Sequence, residues 1–278
     1  MKHYKWCVCD MDGTLLDSKK RISEDNLGSL MKLKQKGVSI ILASGRLDLM
    51  IKTYIKQLEL KGDVISCNGG LIRNIETGEI VYSSVIEQDM AKKIIQYAQQ
   101  KKINYLIYTP DFVYSNQNNP RTLEYENNNL GHAQELQIPL RYVDEERMKN
   151  LNTLKILKVL YICDSQKEVE DIQSELSTFQ GLEVVSSAEG LLDIMRAGTT
   201  KGKALKFLAE QQKVSLEEVI AFGDNYNDIE MLSCVGMPIA MENSVDPVKL
   251  AAKFITKSNE ESGIAYAIDI FLQDEKSS

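Results

Sequence analysis

Three apolar runs break off at residues that carry chemistry, and this repeated pattern constrains the fold more than any other feature. Tyr4–Cys9 runs into Asp10-Met11-Asp12-Gly13-Thr14, Ile40–Ala43 into Ser44-Gly45-Arg46, and Val219–Phe222 into Gly223-Asp224-Asn225-Tyr226-Asn227-Asp228. Strand-like segments at 4–9, 38–43, 63–67, 191–195, 218–222 and 236–240 alternate with helix-like ones at 24–36, 47–59, 202–212, 226–233 and 261–272. Gly37 reads as a helix stop and Asp246-Pro247 as a helix start. Such alternation predicts an α/β fold, a Rossmann-like parallel sheet with helices on both faces. Ligands of these sheets bind outside the carboxyl ends of the strands, where all three breaks fall.

Each break admits a chemical reading and a plain one. Side chains alternate along a strand, so Asp10 and Asp12 can lean the same way. Two convergent carboxylates suit Mg²⁺, a hard cation that prefers oxygen. An Asp carboxylate can also act as a nucleophile. The plain reading is a solvated turn, since Asp, Gly and Thr are ordinary there. Ser44 and the free N–H groups after it form an anion site, or Ser44 is an ordinary N-cap. Lys201, in Thr200-Lys201-Gly202-Lys203, opens a helix, where the dipole disfavours a cation. It suits a facing phosphate or carboxylate, or it is simply solvated. Asp224 can complete a metal site with Asp10, and Asn227 and Asp228 face the same loop. The alternative is a capped helix with acids in its first turn.

Composition removes competing classes. The net charge of −7 argues against nucleic acid. With only His3 and His132, a histidine zinc site or a Ser-His-Asp triad is excluded, so acid–base work falls to carboxylates. No apolar run approaches the ~18 residues of a membrane span. The N-terminus lacks a signal-peptide plan, and the five scattered cysteines fit reduced, buried thiols. A cytoplasmic location is expected.

The middle of the chain reads differently. Residues 72–85 form a hairpin pattern turning at Glu76-Thr77-Gly78-Glu79. Residues 84–189 mix helices (88–101, 166–178) with strands (104–108, 156–162), and the Asn-rich stretch 116–129 reads as a long polar loop. This block is expected to be an inserted α+β cap, with a core of 1–83 and 190–278. Acids outnumber bases in it, so a dianionic phosphate should be held by the core. Tyr105, Tyr108, Tyr114, Asn116, Asn118 and Tyr125 are candidates for substrate contact or for plain cap packing.

Together these residues resemble the haloacid dehalogenase superfamily of phosphatases. Asp10-Met11-Asp12-Gly13-Thr14, Ser44, Lys201 and Gly223-Asp224-x-x-Asn227-Asp228 match its four motifs in order. Cys67-Asn68-Gly69-Gly70 and Lys201-Gly202-x-Ala204-Leu205 resemble its Cof-type branch. Ser44 stands where Thr is commoner and Gly70 where Ala is. The resemblance implies a Mg²⁺-dependent phosphatase for a small phosphorylated metabolite, a sugar phosphate foremost. Asp10 would be the nucleophile and Asp12 the acid and base. The Asp10 side chain, the Asp12 carbonyl and Asp224 would hold Mg²⁺, with Asp228 binding directly or from behind. Ser44, the Gly45 amide, Lys201 and Asn227 would hold the phosphoryl oxygens, with Arg46 and Asn68 as site support. A phosphotransferase or phosphomutase sharing the aspartyl-phosphate is the alternative, and a non-catalytic phosphometabolite-binding protein a more distant one. No protein partner is implied.

Overall fold

The computed structural model describes residues 4–144 and 151–274. The chain divides into two units. One comprises Met1–Ser44, Thr53–Val81 and Thr200–Ser278, the other Gly45–Lys52 and Tyr82–Thr199.

The first unit is built on a five-stranded sheet. Its strands are β1 (Trp6–Cys9), β2 (Ser39–Leu42), β12 (Val219–Gly223), β13 (Met237–Ala240) and β14 (Phe254–Ile255), in the order β14-β13-β12-β1-β2. Every pairing is parallel. β1 and β12 are buried along their whole length, which is why they read as unbroken apolar runs. The order reverses at β1, so the crevice beyond its carboxyl end is the natural ligand position. A second, three-stranded sheet follows β2: β3 (Asp63–Ser66), β4 (Leu71–Asn74) and β5 (Ile80–Ser83). Helix Glu24–Gln35 starts at Ser23, whose hydroxyl accepts from Asn26 N, a cap contributing about 1 kcal/mol. It stops at Gly37, held at φ +86°. Helix Asp246–Ala251 opens with its proline.

The second unit carries a six-stranded sheet, in the order β10-β11-β9-β6-β7-β8. These strands are β6 (Asn104–Tyr108), β7 (Val113–Ser115), β8 (Leu140–Tyr142), β9 (Lys158–Ile162), β10 (Leu182–Ala188) and β11 (Leu191–Arg196). All neighbours are antiparallel except β7 and β8. Period-2 alternation sorts the side chains. Tyr105, Ile107, Val159, Tyr161, Leu192 and Ile194 share one face and pack with Ile94, Ala98, Val169 and Ile172. Those four stand on helices Gln88–Lys101 and Gln166–Leu176.

Three expectations are corrected. Residues 191–195, read as a strand of the parallel sheet, belong to β11, an antiparallel strand of the second unit. The two units divide at 81/82 and 199/200, with Gly45–Lys52 in the second. β3 leaves the parallel sheet to pair antiparallel with β4, and it meets the residues after β2 at the Ala43–Ile65 bridge. The Asn-rich stretch is mostly a helix, Pro120–Leu130. Asn119 caps it by accepting from Arg121 N, Pro120 supplies a preset φ, and Thr122 and Tyr125 give it a buried side.

Candidate active site

The residues singled out at the strand ends of the first unit converge. Asp10 follows β1, with its amide donating to Phe222 O of β12 at 3.1 Å. Asp224 follows β12. Asp228 lies in the turn Tyr226–Asp228, where its Oδ2 accepts from Asp224 N (3.0 Å) and Asn225 N (3.1 Å). Oxygens of Asp10, Asp224 and Asp228 lie within 4.8 Å of one another. Lys201, the first residue of helix Lys201–Gln212, is wholly buried and donates to Asp10 Oδ1 at 2.5 Å and Asp228 Oδ1 at 2.7 Å. The apparent misplacement of a cation at a helix start is thus resolved: Lys201 faces two carboxylates.

Electrostatics around this set are strained in one direction. Burial, and then the nearby Asp228 and Asp224 carboxylates, raise the Asp10 carboxyl well above the usual range, although Lys201 pulls the other way. Asp224 is pushed up to about 6 by burial and by Asp228, against the hydrogen bond from Thr14. Burial alone would lower Lys201, but Asp10 and Asp228 outweigh it and hold the ammonium above its ordinary range. Three carboxylates gather around one ammonium, two of them paired with it, an excess of acid over base in a largely buried place. A divalent cation with oxygen preference fits both the donor type and the missing charge.

Two close approaches shape the loops. Gly13 sits at φ +86°, and a Cβ there would lie 2.3 Å from Asp224 Oδ2. Gly69 sits at φ +92°, and its Cβ would lie 2.2 Å from Thr200 O, beside Lys201. Only glycine fits at either position.

The remaining candidates divide. Ser44 is buried; its N–H donates to Ile65 O and its carbonyl accepts from Asn68 N, both at 2.9 Å. Asn227 Nδ2 donates to Asn68 Oδ1 at 3.0 Å, which ties two candidates together. Asp12 stays outside the acid cluster: half exposed, it accepts from Lys20 Nζ at 2.7 Å. Gly45 and Arg46 group with the second unit, where Gly45 O accepts from Lys158 Nζ at 2.8 Å. Tyr105, Tyr108, Tyr114 and Tyr125 are all buried, which favours packing over ligand contact, and Asn116 is tied to Tyr105 N and Asn104.

The family profile described as haloacid dehalogenase-like hydrolase matches residues 7–268. The chain belongs to this family. It is 28% identical to a Bacillus subtilis 5-amino-6-(5-phospho-D-ribitylamino)uracil phosphatase, over 96% of this chain and 98% of that protein. A pyridoxal phosphate phosphatase of Escherichia coli is also 28% identical, over 93% and 95%. The crystal structure of a haloacid dehalogenase-like hydrolase from Bacteroides thetaiotaomicron superposes with a TM-score of 0.84. It is 32% identical and covers 96% of this chain and 99% of that one.

Within this family frame, the sequence reading passed over several supports. Thr14 donates to Asp224 Oδ1 at 2.7 Å, so the first loop braces the fourth. Asn243 Nδ2 donates to Gly13 O at 2.8 Å, and Asn259 Nδ2 to Leu16 O at 2.8 Å. Asn259 N donates in turn to Asn243 Oδ1 at 3.0 Å, linking the two clamps. Thr14 stood inside the first motif and could have been read. The asparagines carry no local signal for these clamps, because Gly13 and Leu16 lie more than 200 residues away.

Among the described residues no helix is long and apolar enough to cross a membrane. All five cysteines are free thiols.

Proposed function

We propose that this chain is a Mg²⁺-dependent phosphatase that hydrolyses a small phosphorylated metabolite through an aspartyl-phosphate on Asp10. The observation that carries the reading is buried Lys201 paired with buried Asp10 and Asp228, with half-buried Asp224 beside them. Lys201 pulls Asp10 toward the ionised form that a carboxylate nucleophile requires, against burial. Asp10, Asp224 and Asp228, with the Asp12 carbonyl, would hold Mg²⁺. Bound there, the ion would offset the charge of nucleophile and phosphate, which otherwise repel.

An Asp10 oxygen attacks phosphorus, forming the P–O bond of the acyl phosphate as the ester P–O bond breaks. Asp12 gives its proton to the departing alkoxide. Water then attacks the acyl phosphate, Asp12 takes a proton from that water, and the Asp10 carboxylate is restored. Half-exposed Asp12, paired with Lys20, is open to the solvent with which a proton-transfer group must exchange. The Ser44 hydroxyl, the Gly45 amide, Lys201 and Asn227 would hold the transferring oxygens. Asn68 supports Asn227 through its side chain.

Sugar and polyol phosphates head the substrate classes, supported by the phospho-D-ribityl substrate in the name of one relative; pyridoxal phosphate is the second arm. The test is phosphate release from p-nitrophenyl phosphate and a panel of phosphorylated metabolites, with Mg²⁺ and then with EDTA. Turnover that needs Mg²⁺ and favours one panel member is expected. Full activity in metal-free buffer would count against the reading.

A further inference from the structure

The loop after β3 has an uncommon backbone. Cys67, Asn68 and Gly69 are consecutive and all left-handed, at φ +50°, +54° and +92°. A left-handed residue other than glycine is uncommon, and two in a row that are also buried mark stored strain. Such strain persists where the surroundings over-determine it, and it concentrates at functional sites. The pairing beside the loop shows how it arises. Ser44 N donates to Ile65 O, and in a regular parallel ladder Ser44 O would accept from Cys67 N. It accepts from Asn68 N instead, at 2.9 Å. One residue is extra, so Cys67 is a bulge, and the turn closes where Gly70 N donates to Cys67 O at 2.9 Å. Bulges next to active sites re-aim a side chain.

The re-aimed side chain is that of Asn68, 4% exposed. Its backbone amide grips the carbonyl of Ser44, and its Oδ1 accepts from Asn227 Nδ2 at 3.0 Å. Ser44 lies just past β2, and Asn227 lies in the turn after β12, 159 residues from Asn68. A carboxamide nitrogen has two N–H donors. With one of them on Asn68, the other is aimed. The far side of the loop is fixed as well, since a Cβ at Gly69 would meet Thr200 O, where the helix of Lys201 begins. One short loop thus touches the segments of Ser44, Lys201 and Asn227, all within the first unit.

We propose that the Cys67–Gly69 bulge is a strained brace, and that Asn68 within it is a positioning residue that sets the spacing of Ser44 and Asn227 for binding a phosphoryl group. The backbone of Asn68 fixes one side and its carboxamide the other, so one residue couples two binding groups from separate strand ends. The inference rests on the phosphatase reading for the identity of the ligand. Asn68 acts through Ser44 and Asn227, and small misplacements of binding groups are costly.

The test is calorimetric titration with inorganic phosphate in the presence of Mg²⁺, alongside kcat and KM, on the full chain. Asn68→Gly keeps the left-handed backbone, and with it the bond to Ser44 O, and removes the carboxamide. It should bind phosphate about tenfold more weakly. Asn227→Ala should lose at least as much. The double variant Asn68→Gly/Asn227→Ala should bind no more weakly than Asn227→Ala alone, because the carboxamide acts through Asn227. Cys67→Val is close in size but resists the left-handed backbone. It should loosen both contacts and weaken binding more than Asn68→Gly does. Cys67→Gly accepts the bulge without strain and should bind phosphate more tightly than Cys67→Val. Wild-type phosphate affinity in Asn68→Gly, or a double variant whose loss is the product of the two single losses, overturns the proposal. A folded Cys67→Val with wild-type affinity overturns the brace, and if that variant does not fold, the Asn68–Asn227 cycle decides. A wild-type protein that binds phosphate but turns over no phosphate ester contradicts the phosphatase reading alone, and the comparison of variants still decides this one. A wild-type protein that binds no phosphate contradicts both.

Discussion

Lys201 in the first unit and Lys158 in the second are both buried and both paired with acid, but their surroundings carry different charge. Lys201 meets Asp10 and Asp228, with Asp224 alongside, so the acids exceed the ammonium. Lys158 meets Asp193, and its other donors end on a neutral carbonyl and a ring face. One cluster is short of positive charge, which under the proposed function a divalent cation would supply. The other is balanced as it stands. Burial of a lysine therefore marks a charge-deficient cluster in one place and a balanced structural pair in the other, and the count of neighbouring carboxylates tells them apart.

The comparison can be broken by substitution, and the largest effect should fall on the first cluster. Asp10→Asn removes the nucleophile and should cost at least ~10³-fold in kcat, the scale on which loss of a catalytic nucleophile is felt. Asp12→Asn should cost ~10²–10⁴-fold on an alkyl phosphate. The loss should be smaller on p-nitrophenyl phosphate, whose leaving group needs little protonation. Mg²⁺ affinity should stay near wild type, because an amide spares the backbone carbonyl. Equal losses on both esters would remove the support for leaving-group protonation, unless hydrolysis of the intermediate limits both.

Stability sharpens the contrast. Lys201→Met leaves Asp10 and Asp228 buried without their cation, and breaking such a pair typically costs ~3–5 kcal/mol. Denaturant unfolding in metal-free buffer reads this directly. A folded variant within 1 kcal/mol (a margin of roughly one ordinary hydrogen bond) would mean the acids are not charged as described. The smallest effect concerns the metal. Mg²⁺ at about 100 times its Kd should stabilise the wild type by ~2.7 kcal/mol. Asp224→Asn should reduce that gain, while Lys158→Met/Asp193→Leu should leave it unchanged. Equal Mg²⁺ responses in both variants would dissolve the distinction between the two clusters.

The two regions were not equally legible in the sequence. In the first unit Asp10 and Asp224 each follow a short apolar run, and a parallel sheet gathers its strand ends on one side. The ends of β1 and β12 therefore point to neighbouring acids from the sequence alone, whereas Lys201 opens a helix and needs the fold to bring it there. In the second unit the same rules failed. The alternation in 191–196 identifies a strand but carries no information on which sheet accepts it, and its partners β9 and β10 lie outside the segment. The asparagines of 116–129 suggested a loop, yet Asn119 and Pro120 are a helix start. The Lys158–Asp193 pair joins residues on two strands, and its only local sign is a lysine inside the apolar run 156–162. Close approach was equally silent: Gly13 and Gly69 look like turn glycines until the atoms across from them are known.

The central claim is that Asp10 carries the phosphoryl group between the two steps. Acid quenching during turnover, followed by borohydride reduction, converts an aspartyl-phosphate to homoserine, which peptide mass spectrometry locates. Asp12→Asn, which slows hydrolysis of the intermediate, should enrich it. Homoserine at position 10, dependent on substrate and Mg²⁺, is the expected result. Product released in a single turnover at the full rate, with position 10 remaining aspartate throughout, would contradict the account.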